Sequence, residues 1–189
     1  MARYQLNPVH CDRERWLKQY YFVRAAFSVA WVAAAFAAGA SSPVIAGALL
    51  VLYPAWDAAA NFADAVRSGG LAQSRPQALN VVVSLATTVA VLVTLQMSMN
   101  RVLGIFGAWA ILSGLLQLGT AIQRWRSFGA QWAMVLSGGQ SALAGGFFIF
   151  QATMPAIANV AGYAAVGALY FLVSAVWLTV GEWRRSAAV

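Results

Sequence analysis

The stretch ALNVVVSLATTVAVLVTLQM, Ala78–Met97, runs through twenty residues without a charge. At 1.5 Å of rise per residue, a helix of that length is about 30 Å long, which matches the hydrocarbon core of a bilayer. Arg75 precedes it and Arg101 follows it, so the charges stand where lipid ends. Working outward, five more stretches of the same kind appear: Tyr21–Ala40, Pro43–Val66, Val102–Ile122, Trp132–Gln151 and Ile157–Val180. The chain is 61% hydrophobic and 9% charged, with a mean hydropathy of +0.69. A soluble domain carries roughly a quarter charged residues. Spans of this length suit helices, since a membrane β-strand needs only about ten residues. The expected fold is all-α: a polytopic membrane protein with six transmembrane helices. Tyr21–Ala40 is not read as a secretory signal, because a long polar and aromatic segment precedes it and further spans follow.

Basic residues set the orientation. Arg3, Arg13, Arg15, Lys18, Arg24, Arg67, Arg75, Arg124, Arg126, Arg184 and Arg185 fall on one side of the spans, and Arg101 alone on the other. The positive-inside rule puts that side, and both termini, in the cytoplasm. The expected division is a cytoplasmic tail over 1–19, a transmembrane domain over 20–185 and a short cytoplasmic tail over 186–189. The net charge of +7 anchors helix ends against anionic lipid heads and does not form a nucleic-acid groove. Cys11 is the sole cysteine, so no intrachain disulfide forms; beside His10, Asp12 and Glu14 it is a weak metal-site candidate.

Short outer turns alternate with longer basic inner loops, which suggests three repeated helical hairpins over about 20–67, 77–126 and 131–185. Leu52–Asp57 aligns with Trp109–Gly114 at an offset of 57, and the latter with Leu169–Ser174 at an offset of 60. Val23–Ser28 aligns with Leu136–Ser141, and Asn80 takes the place of Arg24 in the middle hairpin.

On these motifs the chain resembles the HdeD-like family of small bacterial membrane proteins. Val23–Arg24–Ala25 and Leu136–Ser137–Gly138 match its odd-helix step, and Gly107–Gly114 matches its even-helix pattern, with Asp57 near the family's acidic position. The family's Trp-Pro-Gly signature is missing; only Pro43 and Pro155 stand in comparable loops. The resemblance implies a six-span inner-membrane protein with a structural or envelope and acid-stress-protective role. It names no mechanism, ligand or cofactor.

Ionisable groups at membrane depth are costly, which makes them the first candidates for function. Asp57, Asn61 and Asp64 stand at i, i+4 and i+7 on span two and share one face. Arg24 lies one turn inside span one, near the depth of Asp64, so an Arg24–Asp64 pair is expected, with snorkelling of either group as the alternative. Asp57 falls near the midplane, with Asn61, Gln117, Thr120, Gln140 and Gln151 as candidate partners. A lone carboxylate there must be paired, hydrated or protonated. Three readings stay open: a proton-sensitive structural element, a protonated packing residue, and a conduction or transport site. The last makes a small transporter or channel the alternative to a structural role, and Pro54, Gly138–Gly139 and Gly145–Gly146 lend it places where helices loosen.

Gly138, Ala142 and Gly146 form a small-residue ridge on span five, with Ser137, Ser141 and Gly145 beside it, and Gly114 lies on span four; these are expected packing positions. Enzyme signatures are missing: there is no phosphate-cradling loop, metalloprotease helix or lipase elbow. Asp57 and Asp64 are about 10 Å apart along one helix, too far for a catalytic dyad. The expected partners are lipid and, as an open question, further copies of the chain; no nucleic acid or cofactor is expected.

Overall fold

The computed structural model describes residues 8–39, 41–150 and 157–186, with the side chains of 8–11 and 159 outside that set. His10, Cys11, Gln151 and Pro155 therefore lie outside the described side chains. The described residues form six helices: α1 Pro8–Ala34 (continued by a π-helical turn, Ala35–Gly39), α2 Pro43–Arg67, α3 Arg75–Leu95, α4 Met99–Arg124, α5 Gln131–Phe150 and α6 Ile157–Ser186. Each contains a segment long and apolar enough to cross a membrane. The protein is a polytopic six-helix membrane protein.

The local chemistry explains several ends. Ser42 caps α2, its hydroxyl accepting from the Ile45 amide, and Pro43 follows at the first helical position, where no amide hydrogen is needed. α2 closes at Arg67, and Gly69 and Gly70, at φ of +103° and +96°, turn the chain toward α3 in a conformation that side chains disfavour. α1 begins at Pro8, so residues 8–19 are helical and continuous with the span. Their outer face ties to the end of α6 through Lys18–Glu182 and Arg185–Glu14 ion pairs.

The helices form a ring in chain order. α2 packs on α3, α3 on α4, α4 on α5, α5 on α6, and α6 returns to α1. The most extensive contacts join helices of different sequence hairpins, α4 with α5, α1 with α6, and α2 with α3; within the pairs α1–α2 and α5–α6 packing is sparse. Burial follows the logic of lipid. On α3 the exposed face carries Val82, Leu85, Val89, Leu92 and Val93, while the buried face is Gln77, Asn80, Ser84, Thr87 and Val91. Apolar side chains face outward because hydrocarbon solvates them, and polar ones turn inward because hydrocarbon does not.

The α4–α5 contact is made backbone to backbone. A Cβ on Gly114 would lie 2.6 Å from the Gly138 carbonyl oxygen, and one on Gly107 2.7 Å from that of Gly145. Gly114, Gly138 and partly buried Ala142 therefore lie in this contact, but Gly146 does not: its Cβ position faces open space and Gly145 stands in its place. The reason is helical period. Successive steps of four residues rotate the ridge by about 40° each, whereas a seven-residue step returns within about 20° of its start. Gly107 with Gly114, and Gly138 with Gly145, both use the seven-residue step.

Candidate functional site

The expected polar residues of α2 do converge with Arg24, but in a different pairing. The Arg24 guanidinium donates to Asp57 Oδ1, not to Asp64. That contact places Arg24 at the depth of Asp57, about 15 Å from the end of α2, rather than at the depth of Asp64 near that end. Asp64, one turn from that end, is claimed by Arg124 from the last turn of α4 at 2.9 Å.

Asp57 is therefore not a lone carboxylate. Besides Arg24 it accepts from Asn61 Nδ2 at 3.1 Å, Asn80 Nδ2 at 3.3 Å and Ser84 Oγ at 2.9 Å. Ser84 Oγ in turn accepts from the indole of Trp109 at 2.9 Å. Of the partners expected from sequence, Asn61 makes the bond; Gln117 and Gln140 line the adjoining cavity and Thr120 the neck below. Arg24 also donates to the Tyr20 hydroxyl at 2.9 Å, and its guanidinium carbon stands 4.3 Å from the Phe171 ring centre. Asp64 accepts from Gln77 at 3.3 Å as well as from Arg124, and Arg124 also donates to Ser68 Oγ at 2.8 Å.

Three spaces stack along the ring axis. A central cavity of about 420 Å³ takes residues from all six helices, including Arg24, Asp57, Asn80, Ser113, Ser137 and Tyr163. Arg24, Asn80, Gln117 and Phe171 also border a narrow neck of about 40 Å³, which continues past Asp64, Gln77 and Thr120. Arg124 closes the neck and borders a vestibule of about 450 Å³ at the basic end, walled by Arg13, Arg15, Arg67 and Trp16. The two buried ion pairs thus stand in series between cavity and vestibule.

The walls hold polar atoms without protein partners. Trp56, Asn80 and Ser113, which line the cavity, and Gln77, which lines the neck, each carry one side-chain nitrogen or oxygen that is buried and unbonded among the described residues. Leaving such groups unsatisfied costs about 1–3 kcal/mol each. With one cation and one anion in contact, the lining is electrically balanced. Among the described residues no cluster of metal-ligating side chains occurs.

Sequence reasoning missed Arg124 and the polar face of α3. Gln117, Thr120 and Arg124 stand at i, i+3 and i+7, and Gln77, Asn80, Ser84 and Thr87 follow the same helical period, so the signal was present in neutral side chains. Comparisons with protein-family models, curated proteins and solved structures returned no match, so the HdeD-like resemblance rests on the quoted residues alone.

Proposed function

We propose that this chain is a non-catalytic membrane transporter that holds a small solute in the central cavity and passes it along the ring axis through the two ion pairs. The observation that carries this reading is a cavity of about 420 Å³ at mid-depth, walled by every helix, with the Arg24–Asp57 pair and Asn80, Ser113, Ser137 and Gln140 in its lining. Ligand sites are concave, mostly apolar and set with a few convergent polar groups, and they commonly exceed about 300 Å³. In an orientation following the positive-inside rule, the vestibule opens to the cytoplasm of a bacterial inner membrane. Arg24 and Arg124 each trade a carboxylate for solvent or solute as the neck opens, so neither charge is ever left bare in a dry core.

A test uses Ser113→Cys in a Cys11→Ser background, in sealed vesicles treated with a charged, membrane-impermeant methanethiosulfonate. Transport requires labelling from both sides, with lipid-facing Leu112→Cys unlabelled. Access from one side only, or from neither, overturns the reading. The second reading is a structural, stress-protective role of the HdeD-like kind. It is favoured by the same ion pairs, which tie α1 to α2 and α4 to α2.

A further inference from the structure

The cavity is amphipathic along its length. Its end toward the neck is set by Arg24, Asp57, Asn80, Gln117, Ser137 and Gln140. Toward the opposite membrane face the lining turns apolar, through Ala144, Phe147 and Phe148 on α5 and Ala158, Gly162 and Val166 on α6. α5 shows the gradient within one helix, from Ser137, Gln140 and Ser141 to Ala144, Phe147 and Phe148.

The apolar half borders one of the two sparsely packed neighbour pairs of the ring, α5–α6, the other being α1–α2. α5 and α6 pack far less extensively than α4 and α5. Lining residues Gln140, Phe147, Ala158 and Gly162 are all exposed, Phe147 by 56%. Nothing among the described residues stands within 4 Å of a Cβ built on Gly162. Among the described residues two side-chain hydrogen bonds join α5 to α6, from Tyr170 Oη to Gln140 Oε1 at 2.8 Å and between Ser141 Oγ and Tyr163 Oη at 2.6 Å, both toward the polar end of the cavity. Gln140 lies about 14 Å along α5 from the basic end and Phe147 about 24 Å, so the opening runs from mid-depth toward the far interface, alongside lipid tails.

Resting on the transport reading above, we infer that the solute is a single-tailed amphiphile with an uncharged, hydrogen-bonding head, entering sideways from the bilayer through the α5–α6 seam. The head sits at the polar end of the cavity, beside Asn80, Gln117, Ser137 and Gln140. The tail lies along Phe147, Ala158, Gly162 and Val166, still in contact with lipid. A head of either net charge is disfavoured because Arg24 and Asp57 already neutralise each other, so an added charge is desolvated without a counterion. A tail-less polar solute leaves the apolar half unfilled.

The probe is a 1-monoacylglycerol carrying a diazirine near the end of its chain, photolysed with the full-length protein in lipid nanodiscs and mapped by peptide mass spectrometry. Crosslinks are expected on α5 and α6 around Phe147 and Val166, competed by unlabelled monoacylglycerol but not by glycerol or by a fatty-acid anion. Gly162→Trp, placed in open space at the seam, is expected to cut this labelling about tenfold. Gly146→Trp, whose position faces open space away from the cavity, leaves it unchanged. Labelling spread evenly over lipid-facing α3 residues such as Val82 and Val89, or undiminished by Gly162→Trp, or competed equally by the fatty-acid anion, overturns the inference. Two-sided thiol access at Ser113→Cys alongside such a failure removes only the amphiphile; loss of that access removes the transport reading itself.

Discussion

Removing Arg24 or Asp57 singly, and then both, tests whether the mid-membrane polar centre is held by ionic coupling. In Arg24→Ala the Asp57 carboxylate keeps three neutral donors, Asn61, Asn80 and Ser84, but loses its counterion. In Asp57→Ala the guanidinium keeps the Tyr20 hydroxyl and the Phe171 face, and the α2 side of the contact is lost. Breaking a buried pair by removing one partner costs about 3–5 kcal/mol, because the other charge is left uncompensated. The remaining neutral donors place Arg24→Ala near the lower end, at about 3 kcal/mol; by soluble-domain scaling that lowers the melting temperature by about 6–12 °C. The double variant leaves no bare charge. It is expected to be less destabilised than the sum of the singles by about 2 kcal/mol, within the range found for contacting residues. Reversible unfolding in mixed micelles, followed by Trp fluorescence, gives all the required stabilities. Additivity within about 0.5 kcal/mol refutes the coupling, and with it the claim that Asp57 is a paired carboxylate.

Gly114→Leu drives a side chain into the Gly138 backbone, 2.6 Å from the Cβ position, and is expected to destabilise by at least about 1–3 kcal/mol. Gly146→Leu, in open space, stays within about 0.5 kcal/mol of the parent in the same unfolding assay. Ser84→Ala removes both the donor to Asp57 and the acceptor of the Trp109 indole. It is expected to cost about 1–3 kcal/mol and to change Trp109 emission, read by fluorescence against a Trp109→Phe control. Lys18→Ala, at the exposed α1–α6 tie, costs less than about 1 kcal/mol, an effect that shrinks further as salt is raised in thermal melts.

Membrane residence and the six helices were legible from composition and run length, because lipid imposes a simple rule on every residue of a span: an uninterrupted apolar segment about 30 Å long needs no partner to be recognised. The bunching of basic residues at alternate span ends was equally plain. The face Asp57–Asn61–Asp64 could be drawn because residues at i, i+4 and i+7 share a side of a helix whatever surrounds it. The two small-residue ridges on span five, Gly138–Ala142–Gly146 and Ser137–Ser141–Gly145, were drawn on a four-residue step, whereas the close α4–α5 approach uses Gly138 and Gly145, seven residues apart, and leaves Gly146 in open space.

Which residue meets which was settled only by the assembled ring. The Arg24 pairing depended on how far α1 sits along α2, and the residues before Tyr21 carry too many polar groups to be recognised as part of a helix continuous with the span. The capture of Asp64 by Arg124 joins positions 60 residues apart and needs α2 and α4 to end at the same depth. The cavity has no signature along the chain at all, since it is a property of six helices enclosing a volume that none of them contains. Hydrophobicity is a sum over residues and survives in the linear order; a cavity, a counterion and an open seam depend on distances between helices, and those exist only once the chain is packed.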